Sequence, residues 1–374
     1  MIEVRQVFSR KEQKEFLQFP LKIYKDNPYF VPPLYLDEKQ IFDKNYMYYD
    51  QAEAVYFNAY KDGVMVGRIS GILQHAANVK WKQNQVRFTR FDAIDDQEAA
   101  DALFAAVENW ARDKNADEIV GPLGFSDLER EGLLIEGFDQ LSTFEEQYNY
   151  NYYQRLIENC GYVKDVDWIE RKIRVPAEGL DPKTRQVLSD LLSRYNLHYG
   201  TARNTRDFVR KYAAQIFNIW DEAYDNLYGT VPFTDKVRKQ MLVNFKLLID
   251  MRYICVLLDE NENLVAFGFC FPSISKALQK SGGRLTPSTL HQLLDAIRRP
   301  KAVDLAIIGV TEKYKNTGVA YCLVKVFCER MIKYNIEYAE TNLMLENNCP
   351  IQNLWKRFDT VQHKRRRCFI KTIK

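Results

Sequence analysis

The chain has 374 residues, of which 46% are hydrophobic and 28% are charged. That length exceeds what one hydrophobic core usually serves, so we expect two domains. The 53 basic and 50 acidic residues leave a net charge of +3, which gives no general field for nucleic acid or an acidic membrane. We therefore expect neither of these as a partner, and the oligomeric state stays open.

Targeting and redox signals are weak. Residues 1–10 are polar, so they do not predict a signal peptide. The sequence contains no uncharged apolar run of about 18 residues, so it predicts no spanning helix. Both observations favour a cytoplasmic location. The seven cysteines are odd in number and lack C-x-x-C spacing, a pattern typical of reduced core thiols. The four histidines are far apart, so we expect no metal site.

The order of predicted elements repeats along the chain. Apolar runs over residues 54–60 and 64–73 flank an Asp-Gly turn and predict a β-hairpin, and residues 253–258 and 264–271 predict a second one. In the first copy the hairpin is followed by a strand over 86–93, an amphipathic helix over 97–115, a strand over 118–121, a short helix, and a closing strand around 168–175. In the second copy the same elements cover 302–310, 318–335 and 338–345, followed by a short helix and a closing strand around 368–373. The chain thus looks like two copies of one α/β (α+β) fold, each a mixed central sheet flanked by helices.

Residues 176–182 mark the junction of the two copies, because two prolines and a glycine interrupt the periodic pattern there. We place the domains at residues 1–180 and 181–374. Ahead of the second hairpin the pattern predicts a strand over 197–203 and helices over 183–195, 205–225 and 234–250.

A polar turn between an apolar strand and a helix start, residues 306–320, predicts an anion-binding loop. A helix N-terminus offers unpaired N–H groups and a partial positive charge. The small residues Gly318 and Ala320 let a diphosphate approach the backbone, Lys315 adds a mobile cation, and Asn316 tolerates a left-handed turn.

Two motifs carry a resemblance. Lys315-x-x-Gly318-x-Ala320 resembles the Arg/Gln-x-x-Gly-x-Gly/Ala signature of the GCN5-related N-acetyltransferase (GNAT) superfamily, which usually has a valine and a tyrosine where Val310 and Tyr314 stand. The segment 345–358 resembles the family's strand end and following helix. The order of elements fits the family fold over residues 197–374.

The resemblance implies that the chain binds acetyl-CoA or another acyl-CoA. Main-chain groups near the strand end would pair with the pantetheine arm, and the following loop would hold the pyrophosphate. The residues so implied are Val310, Lys315, Asn316, Thr317, Gly318, Val319, Ala320 and Asn348.

Catalytic residues are less clear from the sequence. The family's usual acid is a tyrosine, but Trp355 stands at the matching position, and its indole N–H is only a donor. Glu346 is a candidate for a water-linked base and Tyr314 for a substitute acid. A solvated strand-end carboxylate and a loop-packing ring are the alternative interpretations of these two residues.

The helix–loop–helix over residues 220–234 occupies the place where the superfamily builds its substrate wall. Glu222, Tyr224 and Tyr228 are candidates for receiving a cationic amine by charge and aromatic contact. An ordinary amphipathic helix with a wet acidic face is the alternative.

The matching loop of the first copy, residues 91–100, carries different chemistry. It lacks glycine and places Asp95, Asp96 and Glu98 at the helix start, where carboxylates cap a helix and repel a pyrophosphate. We therefore predict the coenzyme site once, in the second copy. The first copy is distinguished by residues 27–34 and by a long insertion over 121–139. Together with residues 221–224 and 228–234 of the second copy, these segments resemble a family of tandem acetyltransferase-like bacterial proteins over nearly the full length.

The basic run 364–367 would be split across two faces by strand alternation. We interpret it as a solvated turn or a contact to the coenzyme 3′-phosphate rather than a nucleic-acid patch.

These observations favour an acyl-CoA-dependent N-acyltransferase that acetylates a small-molecule or peptide amine. Its second domain would bind the donor, and its degenerate first domain would shape the acceptor site or act structurally. A non-catalytic coenzyme A-binding or ligand-binding protein is the alternative, and Trp355 favours it. An aminoacyl-tRNA-dependent transferase is disfavoured by the balanced charge.

Overall fold

The computed structural model describes residues 1–374, except for the side chains of residues 244–248. The strands are β1 Ile2–Gln6, β2 Ala52–Lys61, β3 Val64–Gln74, β4 Gln85–Ala93, β5 Glu118–Gly121, β6 Leu133–Glu136, β7 Val163–Arg174, β8 His198–Tyr199, β9 Ile254–Leu258, β10 Leu264–Pro272, β11 Ala302–Val310, β12 Tyr338–Thr341, β13 Met344–Leu345 and β14 Thr360–Thr372.

The α-helices lie on either side of these strands. They are α1 Arg10–Ile23, α2 Tyr35–Lys39, α3 His75–Trp81, α4 Gln97–Asp113, α5 Tyr152–Asn159, α6 Pro182–Arg194, α7 Thr205–Tyr224, α8 Asp235–Leu248, α9 Ser275–Ser281, α10 Pro287–Arg298, α11 Val319–Lys333 and α12 Cys349–Trp355. Short 3₁₀ turns cover Gln40–Phe42, Met251–Tyr253 and Glu312–Tyr314.

One continuous mixed sheet runs through the molecule in the order β1-β2-β3-β4-β5-β14-β7-β12-β11-β10-β9-β8. In each half a parallel strand pair, β4 with β5 and β11 with β12, is connected by a helix, α4 or α11. The two halves therefore repeat the same order of elements, and the predicted tandem α/β fold is confirmed. The strand predicted over 197–203 is shorter in the structure, where only His198–Tyr199 pair with β9.

The two closing strands are exchanged between the halves. β7, from the first half, pairs with β12 of the second, while β14 pairs with β5 of the first, and β7 and β14 pair with each other. The sequence pattern predicts both strands but not this exchange. The backbone groups of a closing strand can pair with the sheet edge of either half. The alternation of apolar and polar residues determines which face of the strand is buried, but not which strand lies beside it.

The basic run lies in the middle of β14. Alternation does split it, but the solvated-turn interpretation is wrong, because Lys364 and Arg366 are fully buried. Lys364 Nζ lies 3.2 Å from Glu170 Oε2 and also pairs with Glu340, and Arg366 Nε lies 2.7 Å from Glu170 Oε1. Glu170, Glu340 and His363 also place metal-type ligand atoms within 4.8 Å of one another, but the ammonium of Lys364 already contacts both carboxylates.

The arrangement of hydrophobic residues on the helices explains the packing layers. In α4 the buried residues recur at helical spacing, among them Leu103, Phe104, Val107 and Ala111, and form one face against the first-half sheet. α11 covers the second half in the same way. A further apolar cluster joins α1 and β2 of the first half to α7, β9 and β10 of the second. Within the described part of the chain, no helix has the length and apolarity needed to span a bilayer.

Candidate active site

A wedge opens in the second-half sheet between β11 and the chain that follows β12. The two strands pair in register from Ala302 with Tyr338 to Leu305 with Thr341, and the Asn342 N–H then donates to the Leu305 carbonyl at 3.2 Å. β11 continues to residue 310, whereas β13 turns away to pair with β7. The edge of β11 over residues 306–310 therefore lacks a strand partner on this side.

A β-bulge marks the vertex of the wedge. Along β10, Phe269 pairs with Ile307 but its neighbour Cys270 pairs with Leu305, so Ala306 is the extra residue. A bulge residue leaves the ladder and bends its strand. The bend coincides with the point where β11 and β12 separate.

The loop at the other end of the wedge opens α11. Asn316 and Gly318 have left-handed backbone, with φ of 63° and 93°. Gly318 is the residue before the first turn of α11, and no described side chain caps that turn. The first-turn N–H groups of α11 thus point out of the helix without a side-chain acceptor, as an anion site requires.

A cavity of about 990 Å³ extends from this loop along the wedge into the first half. That volume lies at the upper end of the range for ligand sites. Eleven of the residues singled out from the sequence line it: Val310, Tyr314, Lys315, Asn316, Gly318, Val319, Ala320, Asn348, Glu222, Tyr224 and Tyr228.

Two other candidates lie outside the cavity lining. Glu346 is exposed, and its carboxylate pairs with Lys164 at 2.6 Å and with Arg365 at 3.2 Å. Thr317 donates its hydroxyl to the Tyr314 carbonyl at 2.6 Å. The structure does not bring Glu346 to the wedge.

Trp355, at the position of the usual acid, also lies away from the cavity. It is 6% exposed and lines a separate small cleft with Phe358 and Met331. Its indole N–H has no hydrogen-bond partner in the described part of the chain. The ring therefore packs in the second-half core.

The three acceptor-side candidates come from α7 and the loop after it. The Tyr224 hydroxyl donates to the Ile308 carbonyl on the β11 edge at 3.2 Å. Glu222 accepts from the Glu312 N–H at 3.3 Å. Tyr228 donates to Asp165 of β7, and burial raises the pKa of both tyrosines.

Sequence reasoning missed three carboxylates that line the cavity, Glu131, Glu145 and Glu146. Burial raises the pKa of Glu131 well above its usual range and that of Glu145 to about 7. Burial also raises the pKa of Glu146, although Arg366 opposes the shift. They belong to the segment between β5 and α5, of which the insertion recognised in the sequence, residues 121–139, includes only Glu131.

The corresponding position in the first half carries ion pairs of the chain's own side chains. β4 and β5 pair only from Gln85 with Glu118 to Arg87 with Val120. Beyond that point Arg90 pairs with Glu38 at 3.1 Å. At the start of α4, Asp96 caps the helix and pairs with Lys61 at 2.7 Å. Around the whole cavity carboxylates outnumber the cations, which are Arg68, Arg90, Arg130 and Lys315.

Known proteins resemble the chain over its full length. No family model matches it. It is 25% identical over 379 residues to Protein YghO of Escherichia coli (strain K12), a match that covers 99% of this chain and 95% of that one. It is 23% identical over 372 residues to a protein of Caulobacter vibrioides named Bacterial ceramide synthase, covering 97% and 95% of the two chains.

A solved structure shows the same fold. A tandem GNAT protein from the clavulanic acid biosynthesis pathway superposes with a TM-score of 0.58 at 10% identity, covering 100% of this chain and 99% of that one. The chain therefore has the tandem GNAT fold.

Proposed function

We propose that the protein transfers an acyl group from an acyl-CoA thioester to an amine. The observation that carries this proposal is the edge of β11 that lacks a strand partner, which runs from the uncapped helix start at Gly318 to the bulge at Ala306. This geometry suits a ligand with an anionic group at one end and an extended, amide-bearing arm.

The loop and the strand edge have separate tasks in donor binding. The amides of residues 316–320, with Lys315 at the mouth of the cavity, suit the pyrophosphate, and Gly318 leaves room for it. The β11 edge offers N–H and C=O groups to the pantetheine amides. From Val310 back to Ala306 the edge covers about 13 Å at roughly 3.3 Å per residue, so the arm ends near the vertex.

At the vertex the chain can polarise a carbonyl. The thioester supplies an acyl carbon that an amine attacks without prior activation. Main-chain N–H groups released from the ladder at the bulge are fixed donors for the oxygen that gains charge. Ile307 and its β10 neighbours Phe269 and Phe271 line the cavity here and give an apolar wall to the acyl group.

The first half supports the acceptor side in this proposal, with residues 181–374 binding the donor and residues 1–180 shaping the acceptor site. Its segment 127–131 and its residues 144–148 line the same cavity. The Caulobacter relative is named for ceramide synthesis, and a ceramide is an N-acylated long-chain amino alcohol. That name is consistent with N-acyl transfer and with acyl groups longer than acetyl.

Calorimetric titration with acetyl-CoA and with octanoyl-CoA tests donor binding. We expect heat with at least one of them, and loss of binding in Lys315→Glu. Two matched variants should bind as wild type does: Lys301→Glu, a charge reversal remote from the cavity, and Asp95→Ala in the first-half loop. Absence of binding by wild type to both thioesters would overturn the proposal.

Thiol release separates a transferase from a binding protein. With a bound thioester and a panel of primary amines, a transferase releases coenzyme A in an amine-dependent manner. Binding without release for every amine would support the non-catalytic alternative.

A further inference from the structure

An unpaired carboxylate is buried in the cavity wall. Glu131 is 5% exposed, and its Oε1 atom has no hydrogen-bond partner among the described residues. Burial raises its pKa, and the neighbouring carboxylates of Asp127 and Glu146 add to the rise, which the cation of Arg87 only partly opposes. A buried carboxylate without a partner costs folding free energy, and a cationic ligand would compensate it.

Two more carboxylates face the same space near the vertex of the wedge. Glu146 is 3% exposed, and its Oε2 atom lies 3.5 Å from Arg366 Nε without a hydrogen bond. Glu145 Oε2 lies 3.4 Å from Asn342 Nδ2. The Asn342 N–H makes the last hydrogen bond of the β11–β12 ladder. Glu145 therefore contacts the side chain of the residue that stands at the vertex.

An apolar wall connects these carboxylates. Leu343, Trp168 and Tyr228 belong to one packed cluster and all line the cavity. The rings of Trp168 and Tyr228 meet edge to face at 5.7 Å. At one end of the wall, Leu343 follows Asn342 in the sequence. At the other end, Gly229 follows Tyr228 and lies close to Glu131, because a Cβ atom added to Gly229 would be 3.5 Å from Glu131 Oε1.

We propose that this surface binds the acceptor as a primary ammonium with an apolar body, and that Glu145 takes the proton from its nitrogen. The proposal rests on the acyl transfer described above. The charge of the ammonium shifts Glu131, Glu145 and Glu146 towards their ionised forms, which attract it. The wall of Leu343, Trp168 and Tyr228 buries the apolar body, and its aromatic rings add cation–π contact to the ammonium.

The proton balance of the step is simple. An ammonium has no lone pair, so it must lose one proton before it attacks, and Glu145 accepts it. The nitrogen then bonds to the acyl carbon as the carbon–sulfur bond breaks, and its second proton ends on the thiolate. Glu145 passes its proton to solvent, so each turnover releases one H⁺.

Burial favours this transfer from both sides. It raises the pKa of Glu145 to about 7, while desolvation lowers the pKa of an amine. The titratable groups that face Glu145 are Glu146 on its own segment and Asp304 on β11. Burial raises the pKa of both, so both favour the neutral form.

Amine binding can be measured without any donor. Calorimetry with octylamine and with its neutral isostere octanol should show at least tenfold tighter binding of the amine to wild type. Glu131→Gln and Glu145→Gln should each lose at least tenfold in octylamine affinity, whereas Glu337→Gln, an exposed remote change, should not. Equal affinities for amine and alcohol, or no octylamine binding, would overturn the proposal whatever the thioester titrations show.

The kinetic test uses octanoyl-CoA and octylamine with thiol release as the readout. In wild type kcat should rise with pH up to about 7, and in Glu145→Gln that rise should vanish and kcat fall about 100-fold or more. Octanoyl-CoA affinity should be unchanged, which separates this site from the donor site. An unchanged pH profile in Glu145→Gln would refute its role. Glutamine is close in shape to the neutral glutamate that burial favours, so the variants should fold, and circular dichroism checks this.

Discussion

Replacement of Lys364 by methionine tests whether the buried ion pairs of β14 hold the exchanged strands together. Lys364 and Glu170 stand directly opposite in the β14–β7 ladder, and both side chains are fully buried. Burial alone would raise the pKa of Glu170, but Lys364 and Arg366 outweigh it and lower the pKa to about 2.

The magnitude follows from that shift. A displacement from 4.5 to about 2 corresponds to about 3 kcal/mol at roughly 1.4 kcal/mol per unit. Removal of one partner of a buried pair typically costs about 3–5 kcal/mol. Arg366 contributes part of the shift and remains in the variant, so the loss of the buried pair sets the magnitude, and we expect Lys364→Met to lower the free energy of unfolding by about 3 kcal/mol at pH 7.

Urea unfolding followed by far-UV circular dichroism measures this loss as a lower midpoint. The pKa of Glu170 is lowered by folding, so its contribution is present above pH 4.5 and disappears as the pH falls towards 2. The deficit of Lys364→Met should therefore shrink at acid pH. The control is Lys301→Met, which breaks an exposed pair with Glu337 and should leave the midpoint unchanged. If both variants unfold at the same urea concentration at pH 7, the reasoning is refuted.

Three further predictions concern the cavity. Gly318→Ala should weaken acyl-CoA binding about tenfold in calorimetry, because a left-handed φ costs a non-glycine residue about 1–2 kcal/mol. The control is Gly282→Ala, at a left-handed residue in open space, which should leave acyl-CoA binding unchanged. Trp355→Phe should keep kcat for thiol release within about twofold, since the ring lies outside the cavity; a larger loss would place it in the mechanism. The raised pKa of Glu145 makes wild type lose stability as pH rises from 4.5 to about 7. Glu145→Gln should remove this slope and be about 3 kcal/mol more stable at pH 8 in thermal unfolding; an identical slope would contradict that pKa.

Local sequence signals predicted the fold well where the structure depends on neighbouring residues. The Asp62-Gly63 turn lies between β2 and β3 as expected, and the helices after the two loops begin within a residue of their predicted starts. Both hairpins and both crossover helices could be predicted, because period and turn chemistry are properties of a short segment.

Distant pairings could not be predicted in the same way. The burial of Lys364 depends on Glu170 and Glu340, which lie far away in the sequence and meet it only because the closing strands are exchanged. Glu131 and Glu145 follow no motif, and only the fold brings them close to residues of the second half, Glu131 to Gly229 and Glu145 to Asn342. The proposed donor loop could be predicted because its residues are consecutive, whereas the proposed acceptor surface consists of residues from both halves.

The exchange of strands also determines when the first half can complete its sheet during synthesis. The first half contributes β1 to β5 early, but the strand that lies beside β5 is β14, the 13 residues from Thr360 to Thr372. Domains usually complete their folding one after another as they leave the ribosome. In this chain the first half keeps an open sheet edge at β5 until β14 has been synthesised, so its sheet cannot be completed before the second half has been made. Folding of the first half therefore waits for synthesis of the second, and removal of β14 would leave both β5 and β7 without a strand partner on one side.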